Sequence, residues 1–124
     1  MRFVTVPEPV VLVDLVSGKR IQRRLENGEI VDEDPITMAR CVLTMLLVDE
    51  KFGKGFDSSI SAHNIKAAFD KAQPGDVVEL ESKDWDLLKD VMKHPTNGFP
   101  SMLSIQYVPF FRAIDEAVTV RPNK

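Results

Sequence analysis

The chain has 124 residues, of which 44% are hydrophobic and 28% are charged, and its formal net charge is −3. This composition excludes a disordered chain, and the length predicts a single domain over residues 1–124. The negative charge gives no general attraction to nucleic acid or to an anionic membrane, and the single cysteine excludes an internal disulfide bond and a multi-cysteine zinc site.

The first residues predict an extended arm. Arg2–Val6 is β-branched and aromatic, which favours a short strand, and Pro7–Pro9 makes a stiff, extended link to the next segment. Such an arm adds to the sheet edge of a neighbouring subunit, or it folds back as an edge strand of its own sheet, and the sequence leaves both readings open. In the first reading the arm contacts a partner through Phe3, Val4 and Val6.

An antiparallel meander is predicted to complete the N-terminal part of the chain, residues 1–31. Its strands are Val10–Val16, Lys19–Leu25 and Glu29–Val31, joined by tight turns at Ser17-Gly18 and Asn27-Gly28. Val10–Val16 is apolar on nearly every side of the strand, so both of its faces require cover. Because a domain of this size has few elements to supply that cover, the meander predicts contact with a partner chain.

A basic cluster formed by Lys19, Arg20, Arg23 and Arg24 lies on the second strand of this meander. Charge on an edge strand discourages aggregation, and the same cations can make ionic contacts with a protein partner or with phosphates. No aromatic residue interrupts the cluster, so it offers no platform for base stacking. We therefore expect a solvated strand or a protein contact here, and no binding of nucleic acid.

The remainder, residues 32–124, is predicted to be mainly helical. Asp34-Pro35 is typical of a helix start, so the first helix is expected over Ile36–Val48. The predicted elements that follow are a loop at Phe52–Phe56, a helix from Ser58 or Ser59 to Ala72, a turn at Pro74–Asp76, a strand at Val77–Leu80 and a helix at Ser82–Lys93 that Ser82 caps. They end with a loop at Thr96–Pro100, a helix over Ser101–Val118 that is kinked or split at Pro109, and a short strand at Thr119–Val120.

The core is predicted from the apolar stripes of these helices. We expect one packed cluster that contains Leu43, Leu46, Phe69, Trp85, Leu88 and Ile114.

No set of residues predicts catalysis, a metal or a cofactor. Gly53–Gly55 departs from the phosphate-loop pattern, and His63 and His94 are too far apart to pair on one helix turn. Serines near the start of the second helix lack the nucleophile-elbow motif. Cys41 lies in the apolar stripe of the first helix, which predicts a buried thiol.

The larger, C-terminal part of the chain carries one resemblance to a known group. The order runs from the turn at Pro74 and a short strand to a capped helix with Trp85, and then to His94-Pro95, Gly98–Pro100, Gln106, Pro109-Phe110 and Ile114. With the meander and a helix opened by Asp34-Pro35, this order resembles small accessory and tail-assembly proteins of tailed bacteriophages. The resemblance implies a non-enzymatic, oligomeric protein, and none of these positions matches a functional motif.

We therefore expect an α+β fold, in which the meander precedes a bundle of about four helices with one strand between the second and third. The first hypothesis for function is a non-enzymatic assembly or protein-interaction module whose partners are further copies of itself or other assembly proteins. The alternatives are a small enzyme or inhibitor without a recognisable motif, and a nucleic-acid-binding regulator that uses the basic cluster. We find no signal peptide or membrane-spanning run, so the expected location is the cytoplasm or a particle assembled there.

Overall fold

The computed structural model describes residues 1–48, 55–93 and 105–122. It confirms the predicted α+β fold, with four helices in these ranges and a strand between the second and third. The elements are β1 (Arg2–Thr5), β2 (Gln22–Arg24), β3 (Ile30–Asp32), α1 (Met38–Val48), α2 (Phe56–Asp70), β4 (Val77–Leu80), α3 (Ser82–Lys93) and α4 (Val108–Asp115). The predicted loop at Thr96–Pro100, His94 and most of the loop at Phe52–Phe56 lie outside the described residues.

The arm forms a small sheet with the strand between the helices. β1 pairs antiparallel with β4, so that Arg2 lies opposite Leu80 and Thr5 lies opposite Val77. On its other side, the Phe3 backbone exchanges two hydrogen bonds with Val118, of 2.9 and 3.1 Å. The arm therefore folds back within its own chain, but it joins β4 rather than the meander. The predicted final strand appears as this bridge, one residue earlier than expected.

The meander is shorter than the sequence predicts. β2 and β3 pair antiparallel, but Val10–Val16 makes only isolated bridges, from Val10 to Ile36 and from Val13 to Arg20. The ladder ends early because the Asp14 carboxylate accepts hydrogen bonds from the backbone N–H groups of Val16 and Ser17, both at 2.9 Å. Leu15–Ser17 is consequently a turn.

The first helix begins later than predicted. Ile36 is extended because it exchanges two backbone hydrogen bonds with Val10, so α1 begins only at Met38. Thr37 replaces the acidic residues as the cap, since its Oγ1 accepts a hydrogen bond of 3.2 Å from the N–H of Arg40.

The last helix is split, as predicted, but at Tyr107, two residues before Pro109. Ile105 and Gln106 are helical, Tyr107 is a turn and α4 begins at Val108, while residues 101–104 lie outside the described residues. Pro109 lies in the first turn of α4, where its missing N–H leaves no hydrogen bond unmade.

The buried hydrophobic residues of the described ranges form one cluster between the helices and the β1–β4 sheet. Five of the six predicted core residues belong to it: Leu46, Phe69, Trp85, Leu88 and Ile114. Leu43 is the exception, because it is only partly buried. Trp85 connects three elements, since its Nε1 donates a 2.8 Å hydrogen bond to the Ile114 carbonyl while the Arg2 guanidinium carbon lies 4.1 Å from its ring centroid.

Candidate interaction surface

The predicted contact residues of the arm divide between the two faces of β1. Alternation along the strand turns Val4 and Val6 into the core, where they are 0% and 5% exposed. Phe3 points to the opposite face and stays partly exposed. A partner contact through Val4 or Val6 would therefore require β1 to leave this sheet, whereas Phe3 is accessible where it stands.

The basic cluster is exposed on the meander, whose residues 10–33 we call the hairpin. Neighbouring carboxylates offset part of the cluster's charge. Arg20 lies 3.9 Å from the Asp32 carboxylate, and Arg23 lies 3.7 Å from that of Asp34. Lys19 and Arg24 have no ion pair with any described residue. Exposed pairs of this kind contribute little to stability, but they reduce the positive potential that the four cations present to an anion.

The segment Val10–Val16 has one covered face and one open face. Leu12 is buried in the core, whereas Val11 is 44%, Leu15 is 46% and Val16 is 93% exposed. Ile30 on β3 adds a further apolar side chain that is 58% exposed. We call Val11, Leu15, Val16 and Ile30 the exposed hairpin residues. The expected lack of cover on the second face is therefore present within the described ranges.

The turn that carries Val16 has a defined shape. Gly18 has φ of 73°, which a residue with a side chain rarely adopts, and its N–H donates a 2.7 Å hydrogen bond to the Asp14 carbonyl. The backbone N–H groups of Ser17 and Val16 lower the pKa of the Asp14 carboxyl by hydrogen bonding. At neutral pH the carboxylate thus holds this turn, and the most exposed valine is presented by an ordered segment rather than by a loose one.

The described residues contain no group of three or more His, Cys, Asp and Glu side chains able to hold a metal ion. The prediction of a buried thiol is confirmed, because Cys41 is 1% exposed and burial raises its pKa to about 12. Of the serines near the start of the second helix, Ser61 is buried in α2, while His63 is exposed on the same helix.

Two grooves beside the β1–β4 sheet were not predicted from the sequence. One has a volume of about 490 Å³ and lies between the outer side of β1 and α4, where Phe3, Val108 and Val118 line it. The other has a volume of about 610 Å³ and lies along β4, with residues of α2 and the C-terminal segment as its walls. The apolar alternation of β1 is a signal for an exposed Phe3, but neither groove can be inferred without knowing which strand β1 joins.

Comparison with family models, with curated proteins and with solved structures gives no match to this chain. None of the described helices combines the length and the apolar character that crossing a membrane requires.

Proposed function

We propose that this protein is a non-enzymatic assembly module that associates with further copies of itself. The observation that carries the proposal is the set of exposed apolar residues on the hairpin, among which Val16 is 93% exposed in a turn that Asp14 holds in place. Isolated apolar residues on a surface are ordinary, but several on one small hairpin are typical of an interaction site.

The exposed hairpin residues together offer apolar surface that a partner can bury. Burying one valine or leucine side chain contributes ~1.5–3 kcal/mol when it leaves water completely. An ordered turn also loses little conformational entropy when it binds, so more of that contribution remains as affinity. A second copy offers the same apolar residues, which makes contact between copies self-complementary.

We further propose that the module acts in the assembly of a phage particle, as an accessory or tail-assembly protein in the host cytoplasm or in the particle. The support for this is the order of sequence features from Pro74 onward, which resembles that group of proteins. A non-enzymatic role agrees with the proposal, since self-association requires surfaces rather than reactive groups.

Size-exclusion chromatography with light scattering tests the proposal. We expect the wild-type chain to show a mass above the monomer mass of 14.0 kDa, increasing with concentration. The double variant Leu15→Ser, Val16→Ser should show a lower mass than the wild type or should need a much higher concentration to reach the same mass. The matched control is Leu47→Ser, which changes an apolar residue that is 75% exposed but lies on α1, outside the hairpin.

A wild-type chain that keeps the monomer mass at every concentration would contradict self-association. A double variant that keeps the mass of the wild type would show that association does not use the hairpin.

A further inference from the structure

We propose that the open edge of β4 is a second self-association site, at which β4 of another copy adds antiparallel to make a continuous four-stranded sheet. This inference deepens the proposed self-association and rests on it, but it concerns a surface separate from the hairpin. It follows from the direction of the backbone groups of β4, from the shape of the adjoining groove and from the charges at its ends.

The pairing of β1 determines which backbone groups of β4 point outward. In an antiparallel ladder, residues alternately bond to one neighbouring strand and to the other. Since Phe3 bonds to Val118, the residues on either side of it, Arg2 and Val4, bond to β4. The residues opposite Phe3 and Thr5, which are Glu79 and Val77, therefore direct their N–H and C=O groups to the open side of β4.

No strand of the described ranges occupies that open side. The sheet has two strands, β1 and β4, and the bridge to Val118 lies on the far side of β1. Val77 is partly exposed and Glu79 is exposed, so water reaches this edge. An open strand edge is complementary to another extended backbone, which makes strand addition its natural mode of binding.

The groove along this edge has room for an added strand. One wall is the end of α2, where Ala68 and Ala72 have short side chains, and the other is formed by Arg121 and Pro122. The Arg121 guanidinium forms an ion pair with the Glu79 carboxylate, so the charge of Glu79 is offset before any partner arrives. A wall of short side chains and a carboxylate whose charge is partly offset both favour close approach of a backbone.

The charges at the two ends of the edge favour a second copy as the occupant. Lys71 lines the groove beside the start of β4 and has no ion pair with any residue that the structure describes. Glu81 follows the end of β4, and its contact with Lys83 is a 4.0 Å pair in which both side chains are largely exposed. In an antiparallel pair of β4 strands, the start of each strand lies beside the end of the other. Lys71 of each copy therefore lies near the partner's Glu81, and two-fold symmetry makes this contact twice in the dimer.

The register follows from the same groups. If Val78 lies opposite the same residue of the second copy, Val77 lies opposite the partner's Glu79. The N–H and C=O groups that point away from β1 then meet in both copies and exchange hydrogen bonds. A register centred on Glu79 would place two carboxylates opposite each other, which is destabilising. The Asp76 carboxylate lines the same groove, but it is held in the turn by a 2.9 Å hydrogen bond that its Oδ2 accepts from the Gln73 N–H, and it forms no ion pair with Lys71.

A proline at position 77 tests the backbone part of the proposal. Val77→Pro removes an N–H that β1 does not use, at the first residue of an edge strand, where proline is tolerated. We expect it to leave the circular dichroism spectrum unchanged and to lower the light-scattering mass. The matched control Val77→Ala shortens the side chain but keeps the N–H, so it should associate like the wild type.

A charge exchange tests the second copy as the occupant, and it remains informative even if the proline variant fails to fold. Lys71→Glu and Glu81→Lys should each weaken association, by about tenfold since each dimer contains the contact twice. The double variant Lys71→Glu, Glu81→Lys should restore the affinity of the wild type. Lys71→Glu also places a negative charge at the end of α2, and Glu81→Lys places a positive charge at the start of α3, which destabilises each helix. These two local losses of stability add in the double variant, so they cannot explain a recovery of affinity.

The outcomes separate this proposal from the proposed function. If the wild-type chain is monomeric throughout, both proposals are wrong. If it associates, and the hairpin double variant disrupts association while Val77→Pro and the charge exchange have no effect, only the β4 site is wrong. Loss of mass with Val77→Pro, retention with Val77→Ala and rescue by the charge exchange together would establish it.

Discussion

The β1–β4 sheet and the hairpin of residues 10–33 are built from similar short strands, yet they have opposite roles in the fold. β1 inserts Val4 and Val6 into the core, while β2 is exposed at each of its residues. The two regions differ in burial because β1 and β2 pair with different kinds of strand. β1 joins a strand that lies across the core in the middle of the chain, whereas β2 joins its immediate neighbour β3 on the surface. Burial in this protein thus follows long-range pairing more than local strand propensity.

The sheet and the hairpin also differ in what they contribute to, which is stability for the sheet and interaction for the hairpin. The sheet organises the hydrophobic cluster, since Trp85 connects β1, through Arg2, with Ile114 in α4. The hairpin contributes Leu12 to that cluster and packs Val10 and Ile21 against it, whereas the exposed hairpin residues remain in water. We expect changes in the sheet to affect folding and changes on the hairpin to affect association.

Deletion of Met1–Val6 should produce the largest effect. It removes two buried valines and the only described strand partner of β4, so we expect loss of cooperative unfolding and of most of the helical circular dichroism signal. Serine at position 16 is the folded control, because Val16 is almost fully exposed. A truncated chain that keeps its helical signal would mean that β1 is a dispensable arm after all.

Replacement of Trp85 by alanine should cost ~3–5 kcal/mol of unfolding free energy in urea denaturation. Trp85 is 5% exposed, and its Nε1 hydrogen bond to the Ile114 carbonyl would be lost as well. Trp85→Phe keeps an aromatic ring without the N–H and should cost less than alanine. A loss below ~1 kcal/mol for alanine would place this tryptophan outside the core.

A matched pair of valine substitutions measures the difference in burial between the two regions. Val4→Ala should destabilise by about 2 kcal/mol, since the residue is 0% exposed and the change removes buried apolar surface. Val11→Ala, at 44% exposure, should change the unfolding free energy by less than ~0.5 kcal/mol. Equal losses of unfolding free energy in urea denaturation would contradict the difference between the sheet and the hairpin.

The smallest predicted effect is a local pH dependence of the hairpin turn. The pKa of Asp14 in the folded chain lies below its ordinary value of 3.8, so the turn gains stability above the unfolded pKa and loses it as the pH falls through the folded pKa. The amide NMR signals of Val16 and Ser17 should shift in that acidic range while those of β1 do not. Asp14→Asn should abolish the transition, and its persistence in that variant would assign it to another group.

The elements with strong local signals were predicted accurately. β4 and α3 have the predicted bounds, because a turn at Pro74–Asp76 precedes the strand and charges that favour the helix dipole flank α3. The exposed character of Lys19–Leu25 and the burial of Cys41 also follow from residue type and periodicity. For the candidate surface, the excess of apolar residues in Val10–Val16 was sufficient to indicate a face in need of cover.

Pairing between distant strands determined the features of the fold that residue patterns did not predict. The start of α1 moved to Met38 because Ile36 is held by Val10, and Val4 and Val6 became core residues because β1 reached β4. Strand propensity and alternation specify that a segment is extended and which side chains share a face, but they carry no information about which distant strand it joins. The choice of partner depends on how all the apolar faces are buried together, and here that choice directs one edge of β4 inward, to β1, and leaves the other open.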